Sequence, residues 1–432
     1  MTSTRPRRIH PAWIVAGVGF LALLGAAGFR AAPTVMMVPL EEEFGWSRTT
    51  ISIAIGVNIL LYGLTAPFAA ALMSRFGLRK VTTFALLMIA AGSALSIFVT
   101  NPFMLIMTWG LLIGLGTGSM ALVFAATITN TWFFARRGLV SGILSAASAT
   151  GQLIFLPVLA TLVGTSGWRT ASLVVAVCSL AVVPLILLFM RNKPSDLGVR
   201  RFGESEALAE QIAEEDALQP APGNPAKYAI TVLFEATKTK TFWALAVGFA
   251  ICGATTNGLI GVHFVPSAHD HGMPTATAAS LLAVVGIFDV FGTIASGWLT
   301  DRVNPRILLG IYYFGRGISL MLLPILLSEA IHPSLIVFVV IYGLDWVATV
   351  PPTIAISNQV FGRKGPIVFG WVFASHQVGA SIASVVAGAI RDETGEYTYA
   401  WIGAAALCAV AAWVSFRIKR SPQDTNQASL TH

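Results

Sequence analysis

The chain has 432 residues, of which 55% are hydrophobic and 11% charged, with a formal net charge of +7. Soluble domains carry about 25% charged residues, and a soluble fold of this composition would expose apolar patches large enough to aggregate. Length alone would suggest two or three soluble domains. Composition points instead to a lipid solvent, and no basic face with interleaved aromatics suggests nucleic acid.

In chain order, Arg5-Pro6-Arg7-Arg8 precedes an apolar run from about residue 11 to 40. That run is longer than a signal-peptide core and no small-residue cleavage site follows it, so it reads as a first membrane span. Five more spans follow at 47–73, 81–99, 103–130, 137–164 and 168–190. A second set falls at 241–265, 275–299, 305–327, 333–360, 366–390 and 397–416. Each is about the length a bilayer requires. The predicted fold class is an all-α membrane protein of twelve transmembrane helices in two pseudo-symmetric halves. The expected division is residues 1–190, a cytoplasmic linker 191–240, and 241–432 with a short cytoplasmic tail. Within the linker, Glu204 to Leu218 has the pattern of a short amphipathic helix. The three cysteines, Cys178, Cys252 and Cys408, lie apart in apolar runs and read as small core residues.

Charge placement orients the spans. With both termini and alternate loops on the cytoplasmic face, all but five of the 27 basic residues lie there or in the tails. The exceptions are Arg48, Arg169 and Arg391 in outer loops, and Arg30 and Arg316 within spans. The outer loops carry acids instead: Glu41-Glu42-Glu43, Asp270, Glu329, Asp392, Glu393 and Glu396. One missed or invented span would scramble this alternation. The halves also resemble each other. Phe134-Ala135-Arg136-Arg137-Gly138 after span 4 aligns with Phe361-Gly362-Arg363-Lys364-Gly365 after span 10, as parallel repeats would.

Gly297-Trp298-Leu299-Thr300-Asp301-Arg302-Val303-Asn304-Pro305-Arg306 resembles the loop signature of the major facilitator superfamily. The equivalent stretch in the first half, Ser74-Arg75-Phe76-Gly77-Leu78-Arg79-Lys80, keeps the glycine and basic residues but has Ser74 in place of the aspartate. Trp132-Phe133-Phe134-Ala135-Arg136-Arg137-Gly138 resembles the monocarboxylate and oxalate/formate branch, as does Asp289 in span 8. That branch's substrate-binding arginine, one turn later, is replaced by Thr293. The resemblance implies alternating access, with Asp301, Arg302 and Arg306 latching the cytoplasmic surface.

Ionisable residues inside a membrane are functional candidates by default. Here they are Arg30, Asp289, Arg316, Asp345 and His376. At 1.5 Å per residue Asp289 and Arg316 each lie roughly 16 Å deep and form one expected pair. Arg30 and Asp345 lie at similar depths in spans 1 and 10 and form a second, bridging the halves. Arg316 alternatively serves a purely structural ion pair. Asn58, Tyr62 and Asn257 are further candidates for a wet cavity, because an intramembrane amide needs a partner or water. His376 suits proton coupling. Pro33, Pro351 and Pro352 are expected to break spans 1 and 10. His263, His269 and His271 with Asp270 form at most a weak metal motif, and a solvated loop is the preferred reading.

The expected function is secondary active transport, with Arg30, Asn58, Tyr62, Asn257, Asp345 and His376 binding a small organic anion. Asp289, Asp345 and His376 would carry coupling protons, and Arg316 would join the gating and structural set. The alternative is a carrier for a neutral or aromatic compound, vitamin or drug, in either direction. No Gly-rich Lys-Ser/Thr loop, metal set or nucleophile constellation occurs, so no ATP, cofactor or enzymatic reaction is expected. The expected setting is the plasma or inner membrane, and the expected unit is a monomer whose partners are its small-molecule substrate, protons or another coupling ion, and lipid.

Overall fold

Long apolar runs punctuated by Gly, Pro and charge give helices at nearly every predicted place. A computed structural model describes residues 10–120, 122–206, 224–300 and 302–418. α1 is Pro11–Phe44, α2 Arg48–Phe76 and α3 Leu78–Ser96. α4 begins at Pro102, passes through a π-helical stretch, Ile106–Ile113, to Gly118, and resumes as Leu122–Trp132. Residues Arg137–Phe189 form one stretch of 53 residues. If straight it would run about 80 Å, more than twice the roughly 30 Å of a hydrocarbon core. Gly167, at φ 80° and ψ 161°, interrupts it, and the two arms, 137–166 and 168–189, are α5 and α6.

The remaining spans are α7 Lys240–Asp270, α8 Thr275–Thr300, α9 Pro305–Leu326, α10 Pro333–Phe361, α11 Gly365–Thr394 and α12 Thr398–Phe416. Ten stretches among the described residues are individually long and apolar enough to cross a membrane. The divided α4 and the joined α5–α6 pair account for the other two of twelve. Side-chain caps set several starts: Ser47 on α2, Asn101 on α4, Thr239 on α7 and Asn304 on α9 each accept a backbone N–H of the first turn.

Two local expectations change. α1 runs unbroken through Pro33. A proline removes one backbone donor, and a span held by neighbours absorbs that loss. α10 does break, between Asp345 and Val350, immediately before Pro351 and Pro352. The amphipathic stretch Glu204 to Leu218 lies mostly outside the described residues, and the linker helix that is described is Pro225–Ala236. Its Ala229 carbonyl accepts from Trp371 Nε1 of α11 at 2.9 Å. At the other end of the linker, Phe202 pairs with the 132–135 strand-like turn: Phe202 N–H donates to the Trp132 carbonyl, and its own carbonyl accepts from Phe134 and Ala135. Its ring meets Trp13 and Phe133 edge-on or tilted, at 5.5 and 5.8 Å. The aromatic-rich stretch after α4 thus anchors the linker.

α1 packs on the α5–α6 stretch, α7 on α11, α8 on α10 and α9 on α12, while α2 lies along α11. Glycines permit the tightest of these approaches. A Cβ on Gly253 would strike the His376 carbonyl, and one on Gly379 would strike that of Ala250, so α7 and α11 touch backbone to backbone. Gly379→Val is therefore expected to lower stability by about 1–3 kcal/mol, the usual range for overpacking. Gly403→Ala, where nothing lies within 4 Å, should stay within about 0.5 kcal/mol. Thermal unfolding in detergent compares them.

Candidate functional site

A cavity of about 610 Å³, its open mouth included, lies between α1 and α2 on one side and α7, α10 and α11 on the other. Of the six residues expected to bind substrate, Arg30, Asn58, Tyr62 and Asn257 line it, together with Phe29, Thr34, Trp346 and Gln377, which were not among them. The walls are aromatic and aliphatic, and the polar groups are one guanidinium, three amides and two hydroxyls.

Two irregular stretches shape this lining. The π turn of α4 leaves the Trp109 carbonyl to accept from Asn58 Nδ2 at 2.7 Å, which fixes the amide against the cavity wall. Asn257 sits inside the π stretch of α7, Ala254–Ile260. Such stretches often mark functional positions. Arg30 stands over the Tyr62 ring with Cζ 5.1 Å from its centroid. Among the described residues no acid lies within ion-pair distance of it.

The charges pair differently from the depth argument. Arg316 binds Asp345, not Asp289, with Nε 2.6 Å from Oδ2. Its Nη2 also donates to the carbonyls of Asp345 and Trp346 at 2.6 and 3.3 Å, and Nη1 meets Cys252 Sγ at 3.0 Å. Arg30 therefore loses its expected partner Asp345. Asp289 instead accepts from Thr293 Oγ1 and Val347 N–H, both at 3.0 Å. The physical reason is that a hydrocarbon core of roughly 30 Å puts all four charges near mid-depth, so helix rotation decides the pairing. Asp345 Oδ1 is buried without a hydrogen-bond partner among the described residues.

Asp345, Asp289 and His376 do not themselves line the cavity; Trp346 and Gln377, their sequence neighbours in two cases, do. The His376 ring lies 5.0 Å from that of Phe249 and stacks on Phe373 at 5.8 Å, with no partner for Nδ1 among the described residues. Of the expected latch, Asp301 lies outside the described residues. Arg302 folds back on α8, its Nη1 donating to the Trp298 carbonyl at 3.0 Å and its Cζ 4.1 Å over that ring. Arg306 is buried in the first turn of α9, its N–H held by Asn304 Oδ1.

A larger ionic network, missed by sequence reasoning, closes the end that carries the acidic loops. Arg48 at the start of α2 is 2% exposed. It grips Asp270 of α7 in a bidentate pair, both N–O distances 2.7 Å, and also binds Glu41 Oε2 at 2.8 Å. Arg391 of α11 shares Asp270 Oδ2 at 2.8 Å. Asp392 accepts the N–H groups of Arg48 and Thr49 at 3.0 and 2.8 Å. Tyr397 accepts from Arg48 Nη1 at 3.0 Å and donates to His263 Nδ1. His263 Nε2 faces the Ser384 carbonyl at 2.8 Å, so that nitrogen must be the donor. Burial pushes the Tyr397 phenol up from its ordinary value, so it keeps its proton. His263 and Asp270 are thereby committed to this network, and His271 bonds the Ser267 carbonyl; no group of three metal-ligating side chains occurs among the described residues. The signal for the network was two outer-loop arginines, Arg48 and Arg391, set among acidic residues. Further inward, Thr34 Oγ1 donates to the Val262 carbonyl at 3.0 Å and Ser381 Oγ to that of Gly56 at 2.8 Å. These inter-half bonds lie level with the cavity or toward the acidic end.

Comparison with known proteins agrees with this architecture. The chain is 25% identical over 428 residues to the uncharacterized MFS-type transporter YcxA of Bacillus subtilis, covering 97% of each chain. It is 27% identical over 401 residues to monocarboxylate transporter 13 of Rattus norvegicus, covering 91% of this chain and 86% of that one. The crystal structure of a bacterial homologue of the human lysosomal transporter Spinster superposes with a TM-score of 0.72 at 15% identity, covering 95% of this chain and 97% of that one. The sequence pattern of the Major Facilitator Superfamily matches residues 18–365 and 265–432, so a chain folded as a multi-pass bundle around a small-molecule cavity belongs to that superfamily, as a membrane transporter and not an enzyme.

Proposed function

We propose that the protein moves a small organic anion, monocarboxylate-like, in step with protons by alternating access. The observation that carries this reading is Arg30, a cation facing the cavity with no acid beside it among the described residues. A carboxylate would supply the missing charge, and a guanidinium offers it two parallel donors. The relatives named monocarboxylate transporters support the same class. Asp345 is the favoured proton carrier: its free Oδ1 is the acceptor that Arg316 leaves open, one residue from the cavity-lining Trp346. His376 is a secondary candidate. In this reading residues 1–190 and 241–432 rock about the cavity, joined by 191–240. The acidic end faces outward from a plasma or inner membrane, the termini face the cytoplasm, and one chain suffices.

The three amides and aromatic walls also favour a second reading, an uncharged aromatic cargo. Uptake of labelled benzoate and of its uncharged isostere benzamide into proteoliposomes separates the two. Benzoate uptake should rise when the outer compartment is acidified, and Arg30→Gln should raise its KM about 30-fold or more, the effect of truncating a desolvated charge pair. Benzoate uptake unchanged in Arg30→Gln would sink the anion reading, and benzamide uptake alone would establish the second.

A further inference from the structure

The interruption of α10 exposes backbone groups at membrane depth, where such groups persist only if protein satisfies them. An accounting of residues 345–349 finds a partner for each freed carbonyl and for the Val347 N–H. Pro351 and Pro352 have no N–H to offer the carbonyls of Val347 and Ala348 four residues back. Val350 N–H takes the Val347 carbonyl at 2.9 Å, and Ser296 Oγ of α8 donates to that of Ala348 at 2.5 Å. Arg316 of α9 covers the carbonyls of Asp345 and Trp346. Asp289 of α8 accepts Val347 N–H. Glycines bring α8 this close: a Cβ on Gly292 would collide with the Leu344 carbonyl, and Gly343 faces Val285 in return. At the head of the clamped segment stands Trp346, a wall of the cavity.

We infer that Asp289, Ser296 and Arg316 are positioning residues that hold residues 346–349 as a permanent joint in α10, presenting Trp346 to the occupant. The inference rests on the cavity being the substrate site. None of the three touches the cavity, and all three act on backbone. Because the carbonyls of residues 345, 346 and 348 and the Val347 N–H bond to α8 and α9, and no i to i+4 bond spans the whole of 345–350, the segments Pro333–Asp345 and Val350–Phe361 can change their mutual angle at little cost in helical hydrogen bonds. Asp289 is thereby an acceptor first, a role that an uncharged amide oxygen also fills.

Hydrogen exchange on the full chain in nanodiscs tests this without a substrate. Asp289→Ala should speed exchange of the Val347 amide at least tenfold, while Asp289→Asn should stay within about threefold of wild type. Ser296→Ala, the variant to rely on if Asp289→Ala does not fold, should loosen peptide 344–350 several-fold and leave 335–343 unchanged. It should also raise the KM for benzoate about threefold to tenfold with Vmax within twofold. Unchanged exchange in 344–350 for Ser296→Ala and any folded Asp289→Ala, or Asn behaving as Ala, overturns the inference. If benzoate does not bind the wild type but the exchange pattern holds, the joint stands and the anion reading fails.

Discussion

Arg316→Ala is expected to lower stability by about 3–5 kcal/mol, the range for removing one member of a buried ion pair. The side chain is 1% exposed and bonds one carboxylate and two carbonyls. Its removal strands Asp345 and two backbone acceptors together, in a place water does not easily reach. Desolvation makes the unpaired charge expensive, so the cost exceeds the worth of the pair. Arg316→Leu with Asp345→Leu should therefore recover part of the loss, and the recovery measured in a double-mutant cycle by thermal unfolding gives the coupling. Recovery should be incomplete, because the carbonyls of residues 345 and 346 still lack donors. A double variant no better than Arg316→Ala would show that the carbonyls, and not the carboxylate, set the cost.

Asp270→Asn is expected to open the acidic end. Asp270 neutralises Arg48 across the two halves and Arg391 within its own, and only Glu41 remains to pair with Arg48. Truncating one partner of a buried, hydrogen-bonded charge pair costs about 2–5 kcal/mol, which falls on the state in which this end is closed. The closed-to-open ratio should shift about 30-fold or more. Labelling of an Ile55→Cys reporter, which lines the cavity, by a membrane-impermeant maleimide applied from the acidic side should accelerate accordingly. The reporter background lacks Cys178, Cys252 and Cys408. Equal labelling rates in the two proteins would mean that the network does not hold the gate.

The fold was legible because hydropathy and the alternation of Lys and Arg between loops both report membrane depth, the coordinate that dominates a polytopic chain. The break in α10 before Pro351 and Pro352 followed from local chemistry. Arg30, an intramembrane charge, Asn58 and Asn257, intramembrane amides, and Tyr62, one turn from Asn58, come together around one cavity. Depth could not pair the charges, because rotation about each helix axis is invisible to a depth count: Arg316 has several near-equal partners on paper and one in space. Pro33 misled for a related reason, since one missing donor bends a supported helix without ending it. The ionic network stayed hidden because its members, Glu41, Arg48, Asp270, Asp392 and Tyr397, lie far apart in sequence and meet only after the halves pack.

Asp392 has a consequence beyond charge. The first three N–H groups of α2, those of Arg48, Thr49 and Thr50, are all satisfied, but only the last by a residue of its own half, Ser47. The other two are capped by a carboxylate on α11, from across the interface. The first turn of α2 is thus a helix terminus on loan: its local folding equilibrium belongs to the closed state and weakens when the halves part. Each opening of this end would fray a turn of helix and each closing would rewind it, so that a helix–coil transition is geared into the transport cycle.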